Sequence, residues 1–118
     1  MTFGEVKHRQ NIAGEPIDEV ARYLELRLGA ELTAYAVGVP PGDLVDLAGG
    51  SAHADQTIEQ RLRNLYAVAW FLATRDGPGS AYQFLVEPNS ELGDRPPAEL
   101  LREGAAPQDV WFAAARVY

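Results

Sequence analysis

Residues 36–50 read "AVGVPPGDLVDLAGG", and the spacing of their small and apolar residues decides the fold. Aligned on Gly38 as a turn residue, the stretch has Ala34 four positions earlier and Val37 and Val39 on either side. Leu44 and Leu47 follow six and nine positions later. Two short helices crossing steeply need this arrangement: a small residue at closest approach, a glycine at the turn, and apolar residues facing inward. The pattern predicts a helix-turn-helix, and a plain helical hairpin within a bundle satisfies the same spacing.

A recognition helix reads bases with long donors and amides, chiefly Arg, Lys, Asn and Gln, carried on its first turns. The outward positions here are Pro41, Gly42, Val45 and Asp46, and none of them can make a bidentate base contact. If the segment met DNA, these four would be its DNA-facing residues. Asp43 and Asp46 would then lie near phosphates that repel carboxylates, although Asp43 also favours the start of its own helix. The shape is therefore expected to serve as scaffold, and sequence-specific DNA binding to be weak or absent.

Net charge points the same way. The 118 residues carry −7, with ten basic against seventeen acidic side chains. Residues 1–15 balance two against two, 16–73 hold four against eight, and 74–118 four against seven. No segment is a basic patch of the kind that draws nucleic acid by counterion release. The composition, 47% hydrophobic and 23% charged, is that of a folded chain rather than a disordered one. The lack of cysteine excludes thiol catalysis, disulfides and cysteine-held zinc. No apolar run approaches a membrane span and none follows Met1, so a cytoplasmic protein without membrane association is expected.

Outside the central motif the periodicity is helical throughout, which predicts an all-α fold. Residues 1–15 show no sustained period and read as a mobile N-terminal arm or a loosely docked extension. Pro16 suits a first helical position, and Ile17, Val20, Ala21, Leu24 and Leu28 form one apolar face that stops at Gly29. A short helix from Glu31 to about Val37 precedes the turn. The longest periodic run is 55–73, where Ile58, Leu62, Leu65, Ala69 and Leu72 share a face, Glu59 can pair with Arg63, and either Asp55 or Thr57 can cap the start. Ser80 is expected to cap a short helix over "AYQFLV". A proline-rich loop, a short helix through "AELLRE" and a last helix opened by Pro107 complete the chain.

No catalytic apparatus is visible. His53 with Asp43, Asp46 and Asp55 matches no metal spacing, "AGGSA" lacks the lysine of a phosphate loop, and no nucleophile-base pair emerges. No cofactor or metal is expected. The aromatic set Trp70, Phe71, Tyr82, Phe84, Trp111 and Phe112 reads as core, with room for an exposed partner surface.

At "FLVEPNSELGDRPPAELLREG", residues 84–104, the chain resembles the toxin-binding domain of the Xre/MbcA/ParS antitoxin family. The matching residues are Phe84, Leu85, Pro88, Asn89, Leu92, Gly93, Pro97, Leu100, Leu101 and Gly104. Six of them also have a local reason: Pro88 ends a helix, Asn89 can bond its own loop, Gly93 permits positive φ, and Pro97 starts a helix whose Leu100 and Leu101 face the core. The family's order of an Xre-like helix-turn-helix followed by a long helix is what residues 16–73 display. The resemblance implies an Xre-like bundle over 16–73 and a small helical toxin-binding domain over 74–118. It further implies a partner toxin with a RES domain that consumes NAD, neutralised when the antitoxin's C-terminal region covers its active-site entrance. The contacts it implies are Asn89, Trp111, Arg116, Val117 and Tyr118, together with self-association into a homo-oligomer. Two other functions remain open on the residues alone: a helix-turn-helix transcriptional regulator, and a helical adaptor for an unrelated protein.

Overall fold

The structure is a computed structural model that describes residues 15–77 and 79–117, with side chains described as far as Phe112. Among these residues the fold is all-α, with seven helices and no strand. They are α1 (Ile17–Leu28), α2 (Ala30–Val37), α3 (Pro41–Ala48), α4 (Gln56–Asp76), α5 (Ser80–Val86), α6 (Pro97–Arg102) and α7 (Pro107–Val117). A 3-10 turn at Ser90–Leu92 interrupts the loop between α5 and α6.

α4 is the axis on which the others assemble. Leu62, Leu65, Ala69 and Leu72 are buried as their spacing requires, and α1, α2, α5, α6 and α7 all pack against the helix. Its start is capped by Asp55, whose Oδ1 accepts from the Ile58 N–H at 2.8 Å, while Thr57 lies inside the helix. The Glu59–Arg63 pair forms at 3.2 Å. α4 runs through residue 73, the boundary placed between the two expected domains. One buried cluster joins Val20, Leu24, Leu44 and Leu62 on one side of it to Phe84, Leu85, Leu101 and Val110 on the other.

The central motif folds as its spacing demands. Ala34, Val37, Leu44 and Leu47 are buried and Val39 is partly buried against the core. Gly38 takes φ +91° and ψ 33° at the end of α2. Thr33, fully buried in α2, donates its hydroxyl to the Leu24 carbonyl at 3.2 Å and so brings no unsatisfied polar group into the core. Arg61 of α4 reaches across the turn to the Val37 carbonyl at 3.4 Å, answering one of the orphan acceptors of a helix end. Gly38→Ala should cost about 1–2 kcal/mol, because the new Cβ is strained at that φ and would stand 3.0 Å from Arg61 Nη1. Urea unfolding measures it, and an unchanged midpoint would contradict this account of the turn.

Several local expectations are corrected. Pro16 precedes α1 as its cap residue, and α2 starts at Ala30 instead of Glu31. Ser80 does not cap α5. It is the first residue of the helix, and its hydroxyl donates backward to Gly77 O at 2.8 Å and Leu72 O at 3.2 Å, tying α5 to the end of α4. Of the two leucines of α6, Leu101 is buried and Leu100 only half so.

Candidate functional site

The loop between α5 and α6 is a braced structure. Asn89 is 9% exposed, and its Oδ1 accepts from the Glu91 N–H at 2.8 Å. Its own carbonyl accepts from Leu92 and Asp94, each at 2.9 Å, and its N–H donates to Arg95 O at 3.2 Å. Gly93 at φ +70° and Asp94 at φ 63° turn the chain so that residues 89 and 95 face each other. Arg95 then bonds the carboxylates of Glu99 and Glu103, fastening the loop to α6. Asn89 thus shapes the loop from within, leaving Glu87, Pro88, Ser90, Glu91 and Asp94 as its exposed side chains.

α7 packs against this 3-10 turn, α6 and α4, so the loop and the last helix adjoin. Trp111 is half-buried, its ring 5.6 Å from that of Phe71, over which Arg75 lies at 5.4 Å. The aromatic set divides: Phe84 is buried, Trp70, Phe71 and Trp111 are partly so, and Tyr82 and Phe112 are largely exposed, Phe112 at 61%. Asp109 is exposed on the first turn of α7. The side chains of Arg116 and Val117, and the whole of Tyr118, lie outside the described residues.

In the central motif, Pro41, Gly42, Asp43, Val45 and Asp46 are all exposed on α3, as the alignment required. Pro41–Ala48 contains no cation, and among the described residues several arginines serve internal bonds. Arg22 donates to Ala48 O at 3.2 Å, Arg61 to Val37 O, Arg63 to Glu15 O at 2.8 Å, and Arg102 to Tyr35 O at 2.7 Å while stacking on the Tyr35 ring. The guanidinium groups of Arg22, Arg61 and Arg102, at the carbonyl ends of helices, are well placed against the helix dipole, but they are then not aimed at phosphates. A mobility-shift assay with the DNA upstream of its own reading frame should accordingly show no specific complex at physiological salt. Tight, salt-sensitive binding would overturn the reading of residues 41–46 and turn attention to Lys7 and Arg9.

Among the described residues no group of three His, Asp or Glu side chains is placed to hold a metal ion, and His53, Asp43, Asp46 and Asp55 are each exposed. Among the described residues no helix is long and apolar enough to cross a membrane. Tyr23 and Tyr66 meet edge to face at 5.1 Å, and burial raises both phenol pKa values above the ordinary 10, which leaves them neutral packing groups at physiological pH.

One feature was not foreseen. An open groove of about 630 Å³ runs along α4 between Arg63 and Pro107, with Gln56, Gln60 and Asn64 lining it and Ala67 at its end. A second hollow of about 340 Å³ shares the same three amides. Their i, i+4, i+8 spacing was present in the sequence, but the opposing wall comes from Pro107, some forty residues away.

Compared with known protein families, curated proteins and solved structures, the chain matches no family model, no curated protein and no solved structure.

Proposed function

We propose that this chain is the antitoxin of a cytoplasmic toxin-antitoxin pair and neutralises a RES-domain, NAD-consuming toxin by binding it and covering its active-site entrance. The observation that carries the reading is that the braced loop bearing Asn89 and the last helix, the two elements to which the family resemblance assigns the contact, adjoin on the surface. Rigid elements lose little entropy on docking, which favours such a surface for tight association.

The charges suit this task. Glu91, Asp94 and Asp109 are exposed on the adjoining elements, and an entrance built to admit anionic NAD would be basic, so encounter would be steered. Desolvated apolar and aromatic anchors hold such complexes once formed; Phe112 and the partly exposed Trp111 are of that type. Asn89 acts in this scheme by setting the loop's shape rather than by touching the toxin. Self-association of the antitoxin follows from the same resemblance. The carboxylate-bearing outer face of α3 supports a protein partner over DNA.

The test is to co-purify the chain with a RES-domain toxin encoded beside it. A complex that survives size exclusion is expected. Separate elution of two folded proteins at micromolar concentration would contradict the proposal.

A further inference from the structure

We propose that the groove on α4 is a receptor for extended peptide main chain, and that its occupant is the chain's own residues 1–14. The lining carries the chemistry. Gln56, Gln60 and Asn64 place three carboxamides in a row over about 12 Å of helix, a group whose acceptor and donors complement a peptide unit. Asn64 is only 8% exposed, and its Oδ1 is already taken by Gln60 Nε2 at 2.9 Å. Its Nδ2 has no protein partner among the described residues. Because no fully buried side-chain nitrogen or oxygen lacks one, that N–H₂ reaches solvent at a residue that lines the groove, where a carbonyl would satisfy it.

The occupant is set by where the chain enters. Arg63 lines the groove and donates Nη1 to the carbonyl of Glu15 at 2.8 Å, so the segment leading from residue 14 joins the fold at the groove's rim. Extended chain advances about 3.3 Å per residue, so about four residues cover the amide row, and residues 1–14 are ample. Charge agrees: with Lys7 and Arg9 against Glu5, residues 1–14 are net +1, while the remaining chain is net −8. The segment is drawn to the body, and main-chain hydrogen bonds to the amides give it register.

The experiment compares the side-chain N–H₂ NMR signals of Gln56, Gln60 and Asn64 in the full chain and in a chain begun at Glu15, which retains the whole described core from Val20 to Val110. The signals are expected to differ between the two proteins, and a synthetic peptide of residues 1–14 added to the shorter one should return them toward the full-chain positions. Gln60→Ala, at an exposed helical position, should weaken that peptide about tenfold, as loss of one well-formed hydrogen bond does. If the shorter chain proves unstable, a nitroxide on Gln10→Cys in the otherwise cysteine-free full chain reads the same contact, broadening Asn64 strongly and less so with Gln60→Ala added. Coincident amide signals in the two proteins would overturn the proposal, as would a response to protein concentration, which would place the segment on a neighbouring copy.

Discussion

Replacing Leu101 by alanine will lower the melting temperature of the entire molecule by about 10 °C, in a single transition. Leu101 is buried in α6, and α6 packs on α2, α4, α5 and α7. Truncating a buried leucine leaves a cavity costing about 3 kcal/mol, and for a chain of this size each kcal/mol is worth about 3–4 °C. The single transition is the informative part, because the same buried cluster contains Leu24 and Leu44 from the N-terminal helices. Far-ultraviolet circular dichroism measures it. Two transitions, with only one displaced, would show that residues 74–118 fold apart from the rest.

Ending the chain after Ala115 should separate stability from function. The described core ends at Val110, and the last turn of a terminal helix contributes little to global stability, so the melting temperature should move by no more than about 2 °C. Arg and Tyr are the residue types that most often carry interface energy, about 2 kcal/mol or more for a hot spot, which corresponds to affinity falling about 30-fold or further. Cells expressing the toxin should therefore lose protection and NAD together when Arg116, Val117 and Tyr118 are missing. Full protection by the shortened chain would move the contact to the loop and helix around Asn89 and Leu101.

How much of this was legible beforehand differs by element. α4 was readable because one apolar face repeats from Ile58 to Leu72 along its 21 residues, and the turn at Gly38 because only a few residue types fit a left-handed backbone beside a close helix contact. Ser80 misled because the hydroxyl that caps helices also donates to carbonyls of the preceding one, and sequence alone does not choose. The role of Asn89 was half legible: its loop bond to Glu91 is local, whereas the facing of residues 89 and 95 depends on the whole loop closing. The arginine clamps were hidden, since Arg61 to Val37 and Arg102 to Tyr35 join residues 24 and 67 positions apart. Counted only as charge, those arginines would have been given no internal partner. The outward set on α3 was fully readable, because an eight-residue helix with two buried leucines leaves its other face no choice.

The central claim, that this chain disarms an NAD-consuming toxin by occupying its entrance, is tested most directly by titrating the purified protein into the NAD-consumption reaction of the RES-domain enzyme encoded beside it. The account predicts a linear fall in rate to near zero at a fixed stoichiometric ratio, with an earlier break for no other purified helical protein of similar charge. NAD consumption that continues undiminished in an excess of the folded chain would contradict it.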